Sequence, residues 1–279
     1  MSSAARLEAP GALPAREPAR GARAWVGYEL ARALRPRRAA ALYALALLPA
    51  LAVGLLGWVA RLHGAEAGAM MSPGFYASLF ELELKTVIFL GCAWLFIQLV
   101  RGELTGRTLH YAWLAPVRRS RLGWGKYLAG ELAALAIFAG GTLLSRLLLL
   151  WLRGQPLLAA PALRSLFGYA GAAALACLGY GAVFFLFGAC FRQALFPALA
   201  FYGWEQINFL LPSWLQRCSM IYYLHALRPG ALPQHAWGFV PPPISIAAAA
   251  AWLLALSGVL AGLAVRRFAR LEIYYGGEE

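Results

Sequence analysis

Residues 101–130 read RGELTGRTLHYAWLAPVRRSRLGWGKYLAG, a basic and polar stretch that lies between two long apolar runs. A stretch this polar does not enter a lipid bilayer, because charged side chains are costly in the hydrocarbon core. The flanking runs, 86–100 and 127–152, are apolar enough to do so. The stretch is therefore predicted to be a loop whose two ends are both tied to a membrane.

The composition of the whole chain favours a membrane protein. Its 279 residues are 61% hydrophobic and only 13% charged, and the mean hydropathy is +0.62. A soluble protein contains about half apolar and a quarter charged residues. Because the apolar residues also occur in blocks, the sequence predicts an all-α integral membrane protein that crosses the bilayer several times.

Six apolar stretches are candidate membrane spans, since a crossing helix needs roughly 20 apolar residues. We place these spans at about 39–60, 80–100, 127–152, 167–190, 194–211 and 244–265. The fifth is the least regular, because it contains Pro197, Glu205, Gln206 and Asn208. Six crossings put both termini on the same side of the membrane.

The distribution of positive charge orients the spans. Eighteen of the 25 Lys and Arg residues lie on the side of the two termini, six lie on the opposite side, and Arg146 lies within a span. Cytoplasmic segments carry the excess of Lys and Arg. We therefore expect both termini inside the cell, with residues 1–21 and 271–279 as cytoplasmic tails and residues 22–270 as the membrane domain.

Short helices are also expected outside the spans. Residues 22–37 combine arginines with apolar side chains, which favours a helix lying in the cytoplasmic interface. An ordinary charged lead-in to the first span is the alternative. The segment 212–243 is long, apolar and interrupted by prolines, so we expect one or two short helices at the outer interface.

The residue content argues against catalysis by this chain. Aspartate is absent, the four cysteines lack metal-binding spacing, and the four histidines are scattered. The nearest match to a P-loop, GWGKY at 123–127, has Ser120 in place of the first Gly and Tyr127 in place of Ser or Thr. We expect no enzyme activity, metal or cofactor here. A nucleic-acid partner is not expected either, because the positive residues flank apolar runs instead of forming a face.

One ionisable residue lies near the middle of a predicted span. Glu205 has Tyr202 and Asn208 at three-residue offsets, on a similar face of a helix. A charge at that depth costs about 3 kcal/mol or more unless it is paired or hydrated. Two interpretations stay open: a polar lining for a translocation path or subunit interface, and an internal hydrogen-bond clamp that holds the outer loop.

The stretch after the second span resembles a motif of type-2 ATP-binding-cassette (ABC) permeases of the export class. Members of that class typically show an acidic residue, a Gly-Thr-Leu-like stretch, an aromatic residue, a Pro followed by basic residues, and Gly-Lys-Tyr/Phe leading into span three. The matching residues are Glu103, Gly106, Thr108, Leu109, Tyr111, Pro116, Arg118, Arg119, Gly125, Lys126 and Tyr127. Arg107, between Gly106 and Thr108, departs from the pattern.

The resemblance implies a half-transporter. Two permease copies, or this chain and a paralogue, would pair in a bacterial inner membrane, above cytoplasmic ATPase subunits that bind ATP and Mg²⁺. The loop 101–120 would be the coupling helix seated on the ATPase, and residues 22–37 would be the connecting helix of the class. The ATPase contacts would involve Glu103, Leu104, Arg107, Leu109, Tyr111, Leu114, Pro116, Arg118 and Arg119.

The residues of the loop agree with this expectation, since Glu103–Leu114 can form about three helical turns before Pro116 stops them. The sequence thus predicts the permease subunit of an exporter driven by ATP hydrolysis in a separate protein. Two alternatives stay open: a non-transporting membrane anchor of an ABC-type complex that does mechanical or assembly work, and an ATP-independent carrier. Membrane lipids are expected contacts, and the sequence does not indicate the substrate.

Overall fold

A computed structural model describes residues 18–63, 73–106, 118–229 and 244–271, and all regular structure within these ranges is helical. Five of the helices are long and apolar enough to cross a membrane. They cover Ala39–Leu62, Gly74–Leu104, Arg119–Leu152, Ala160–Cys190 and Ile246–Ala269. The protein is therefore a multi-pass membrane protein, which confirms the prediction from composition.

The helices are numbered in chain order. The N-terminal part contains α1 (Pro18–Ala33), α2 (Pro36–His63), α3 (Pro73–Leu82) and α4 (Phe89–Thr105). The middle contains α5 (Arg119–Ala134), α6 (Gly140–Leu152) and α7 (Ala160–Cys190). The C-terminal part contains α8 (Leu195–Gln206), α9 (Ser213–Gln216), α10 (Met220–Leu227) and α11 (Ile246–Ala269).

Two of the long helices each contain a π-helical segment. Glu83–Ile88 joins α3 to α4, and Leu135–Ala139 joins α5 to α6, so each pair forms one continuous rod. Both rods begin about two turns before the predicted spans, at Pro73 and Arg119. The added turns of the second rod include Lys126, whose ammonium binds Glu29 and Glu103 inside the protein, so hydropathy alone underestimates the length of this helix.

The structure does not show a continuous crossing at the predicted fifth span, 194–211. Helix α8 has 12 residues and is about 18 Å long, whereas the hydrocarbon core is about 30 Å thick. The helix ends at Gln206, and a 3₁₀ turn follows at Asn208–Leu210. Asn208 therefore lies beyond the helix that carries Tyr202 and Glu205, and the helical face expected for these three residues is not formed.

Helix α7 forms the centre of the bundle and packs against α4 and α11. Aromatic side chains fill the contact with α4, where the ring of Phe89 lies 5.0 Å from Tyr180 and 4.9 Å from Phe184 between centroids. Edge-to-face pairs of this kind stabilise beyond the area they bury. Helix α2 packs on α6, and α1 packs along α5.

A pair of neighbouring glycines provides a matched test of the α2–α6 contact. A Cβ added at Gly141 would lie 2.6 Å from the carbonyl oxygen of Ala46, whereas one added at Gly140 would meet nothing within 4 Å. We predict that Gly141→Ala lowers the thermal stability of the detergent-purified protein by about 1–3 kcal/mol. Gly140→Ala should be neutral or slightly stabilising. Equal unfolding midpoints for the two variants would contradict this helix contact.

Candidate functional site

Four charged side chains meet where α1, α4 and α5 come together. The ammonium of Lys126 lies 3.0 Å from Oε1 of Glu29 and 2.7 Å from Oε1 of Glu103. Nη1 of Arg32 donates to the same Glu103 oxygen at 2.5 Å. We call these four residues the charge cluster. Lys126, Glu29 and Glu103 are buried, and Arg32 is partly exposed.

Local structure explains how the charge cluster is assembled. Glu29 and Arg32 are three residues apart on α1 and so share one face of that helix. Glu103 lies in the last turn of α4, and Lys126 lies in the second turn of α5. The indole of Trp25 lies 5.9 Å from the Lys126 ammonium, which adds a cation–π contact. A Cβ at Gly125 would lie 2.9 Å from the Trp25 ring, so a glycine permits this close approach of α1 to α5.

The charge cluster balances two acidic groups against two basic ones. Burial raises the pKa of the Glu29 carboxyl above its ordinary range, and the Lys126 ammonium opposes this shift. A buried ion pair adds little net stability over an apolar pair, but removing one member leaves an uncompensated charge. The charge cluster is therefore expected to fix the arrangement of the three helices more than to raise total stability.

The charge cluster lies at both ends of the predicted coupling loop. Glu103 and Leu104 form the end of α4, and Leu104 packs partly buried against the core. Arg118 directly precedes α5, Arg119 is its first residue, and both are exposed. The other predicted loop residues lie outside the described ranges: Arg107, Leu109, Tyr111, Leu114 and Pro116. The predicted helix from Glu103 to Leu114 lies mostly outside them too.

Of the residues predicted to contact an ATPase, the structure brings only Glu103 into this cluster. Sequence reasoning missed the partners Glu29 and Arg32, and it noted Lys126 only as part of a motif. The three-residue spacing on α1 indicates a shared face, but no local signal connects residue 29 with residue 126. That connection requires the packing of α1 along α5.

We predict that Lys126→Met destabilises the protein by about 3 kcal/mol or more, because Glu29 and Glu103 then lose their buried cation. The measurement is thermal or denaturant unfolding in detergent. Adding Glu29→Gln should recover part of the loss. Arg121→Met is the matched control, since Arg121 is an exposed cation on the same helix, and its effect should stay within about 0.5 kcal/mol. Equal effects of Lys126→Met and Arg121→Met would contradict the role of the cluster.

The second candidate site surrounds Glu205, whose side chain is buried. Its Oε1 accepts a hydrogen bond from the backbone N–H of Met220 at 3.0 Å, and its Oε2 accepts one from Ile221 at 2.9 Å. The hydroxyl of Tyr180 lies 3.4 Å from Oε2. These two N–H groups belong to the first turn of α10, where a helix has unsatisfied donors. The geometry is that of the hydrogen-bond clamp, one of the two interpretations left open by the sequence.

Tyr202 and Asn208 do not join this clamp. The Tyr202 ring packs against Phe89 with centroids 5.1 Å apart, and Asn208 is buried in the 3₁₀ turn. The three residues are thus held by different contacts, and the helical spacing that grouped them ends at Gln206. A role of these residues in a translocation path or subunit interface stays a prediction.

We predict that Glu205→Leu exposes the start of α10 to solvent exchange. Each hydrogen bond to a charged acceptor contributes about 1.5–3 kcal/mol, so amide protection at Met220 and Ile221 should fall by roughly tenfold or more in hydrogen–deuterium exchange. Glu205→Gln keeps one acceptor oxygen and should show a smaller loss. Unchanged protection in Glu205→Leu would show that the carboxylate does not hold α10.

A third polar group joins α3 to the end of α10. Three side-chain nitrogen atoms lie close to the carboxylate oxygens of Glu81: His225 Nε2 at 2.6 Å, Lys85 Nζ at 2.8 Å and Arg228 Nη1 at 3.2 Å. Burial lowers the pKa of His225, and its hydrogen bond to Glu81 opposes the shift. Together with Glu205, this group fixes both ends of α10 to the bundle. Within the described ranges, no three His, Cys, Asp or Glu side chains lie together in a way that could hold a metal ion.

Comparison with known proteins does not identify the chain. A scan against protein-family models and a search of curated protein sequences both found no match. The class that the fold and the sites define is a multi-pass helical membrane protein with a buried charge cluster at the base of a basic loop.

Proposed function

We propose that this chain is the membrane-spanning permease subunit of an ATP-driven exporter of the type-2 ABC class. It works with a second permease copy or a paralogue, and separate cytoplasmic subunits hydrolyse ATP. The single observation that carries the proposal is the charge cluster, which ties both ends of the basic loop to α1. The loop carries the sequence motif that resembles this class.

The charge cluster connects the loop mechanically to the membrane domain. A force that an ATPase exerts on the loop would act on Glu103 and Lys126 together, and both form ion pairs with α1. The rods that begin and end at the loop contain 31 and 34 residues, which corresponds to about 47 and 51 Å of helix. Each rod is longer than the hydrocarbon core, so a displacement at the loop reaches the opposite membrane face.

The other end of the first rod contacts a segment suited to respond to such a movement. Glu81 on α3 binds His225 and Arg228 at the end of α10. Tilting of the α3–α4 rod would therefore shift α10, whose start is held separately by Glu205. We propose that this linkage couples loop movement to the opening and closing of the outer face in an alternating-access cycle.

The proposal includes a topology with both termini in the cytoplasm and six crossings. In it, α1 is the interfacial connecting helix, and the loop 101–120 is the coupling helix. The fifth crossing consists of the short α8 and the turns after it, with α9 and α10 near the outer surface. The charge bias of the sequence supports this orientation.

The first test is capture of the ATPase. The full-length tagged chain is purified from its own membranes in mild detergent, and co-purifying proteins are identified by mass spectrometry. We expect a protein with a P-loop and ATP turnover. If none is retained after chemical cross-linking in the membrane, the proposal fails. Transport of a solute by the reconstituted complex would separate an exporter from a non-transporting anchor.

We predict that the double substitution Tyr111→Ser and Leu114→Ser lowers ATPase association by about tenfold or more, because both apolar side chains would leave the docking surface. Leu104 stays unchanged, since it packs against the core. The matched control is Leu158→Ser, an 87% exposed leucine in the turn between α6 and α7. Full association and full ATP turnover in the double variant would refute the role of the loop.

A further inference from the structure

A cleft of about 470 Å³ lies between α1, α2 and α4, directly beside the charge cluster. We propose that it binds one acidic glycerophospholipid of the adjacent leaflet, with the phosphate on Arg32 and one acyl chain along α4. This site is distinct from the proposed ATPase contact, and it needs no partner protein to form.

The length of the cleft matches one leaflet. Its lining runs from Gly106, the residue that follows α4, back to Trp94 on α4, a separation of 12 residues. At 1.5 Å per residue this is about 18 Å, close to half of the roughly 30 Å hydrocarbon core. A single acyl chain that enters from the interface would therefore be covered over most of its depth.

The polarity of the lining changes along this length. Near the loop, the walls carry Glu29 and Arg32 of α1. Along α4, Gln98 is exposed halfway down the cleft, and the lining beyond it consists of Leu95 and the partly exposed ring of Trp94, with Leu42 contributed by α2. A polar end joined to an apolar channel favours an amphipathic ligand. An inorganic anion would leave the apolar walls without a contact.

Arg32 is the group best placed to receive a phosphate. Its side chain is 25% exposed, and the described structure gives it one ion pair, through Nη1 to Glu103. A guanidinium has five N–H donors in a planar fork that matches phosphate oxygens, so several donors remain for a second acceptor. Glu29 is already bound to Lys126, and Arg35, between α1 and α2, is exposed. The charge cluster itself is balanced, so the preference for an acidic headgroup rests on the remaining guanidinium donors of Arg32 and on the neighbouring Arg35.

An acyl chain is a narrow apolar ligand, and a membrane supplies it at high concentration.

The test measures lipid binding to the full-length chain by native mass spectrometry and thermal unfolding. The protein is delipidated in neutral detergent and titrated separately with dioleoylphosphatidylglycerol, dioleoylphosphatidylcholine and inorganic phosphate. We expect one retained phosphatidylglycerol per chain, with about tenfold or greater preference over phosphatidylcholine. Equal retention of the two lipids, or the same stabilisation by phosphate alone, would overturn the proposal.

Two variants locate the binding. Gly102 lines the cleft, and a Cβ there would meet only the flexible amide end of Gln98 at 3.3 Å, so Gly102→Leu fills the cleft without a clash with the backbone. We expect it to reduce phosphatidylglycerol retention by about tenfold or more, as loss of the acyl-chain contacts requires. Gly171→Leu, at an exposed glycine on α7 with nothing within 4 Å, is the matched control and should bind normally.

Arg32→Lys provides an independent check, because it keeps a positive charge facing Glu103 but removes the planar fork. We expect unfolding without lipid to stay near wild type, while the preference for phosphatidylglycerol falls. Normal lipid retention and preference in both Gly102→Leu and Arg32→Lys would contradict the site. A Gly102→Leu chain that unfolds early without lipid leaves Arg32→Lys as the deciding variant.

Discussion

The contact of one buried lysine with two buried carboxylates holds the loop end of this protein together. Lys126 belongs to α5, Glu103 to α4 and Glu29 to α1, so the contact joins three helices at one point. Each of these charges requires the others, because an uncompensated charge in a buried site costs several kcal/mol. The helices can therefore move as a group more readily than they can separate at this point.

Two other carboxylates also join separate helices through polar contacts elsewhere in the bundle. Glu205 binds the first N–H groups of α10, and Glu81 binds basic side chains at the end of that helix. Each carboxylate satisfies groups on a segment distant in sequence. Between these polar ends, α7 packs through small and aromatic residues against α4 and α11. Apolar contacts thus hold the middle of the bundle, and ionic or charge-assisted contacts fix the ends of its elements.

The sequence predicted the five long membrane helices because their lipid-facing surfaces require apolar residues. It did not predict the form of the segment 194–211, since the partners of Glu205 are backbone groups at Met220 and Ile221. It placed Glu103 at a loop base but missed Glu29 and Arg32, because a charge cluster of this kind depends on helices that meet only after folding. The loop residues from Arg107 to Pro116 lie outside the described ranges, and their predicted helix stays a prediction.

The most direct test is a double-mutant cycle on Glu103 and Lys126, which carry the link between the two ends of the loop. Unfolding free energies are measured for the wild type, Glu103→Gln, Lys126→Gln and the double variant. Residues in one buried ion pair are expected to show an interaction energy of about 1–3 kcal/mol, so the double variant should lose less stability than the sum of the single losses. Additive losses would contradict the claim that this contact joins the ends of the loop.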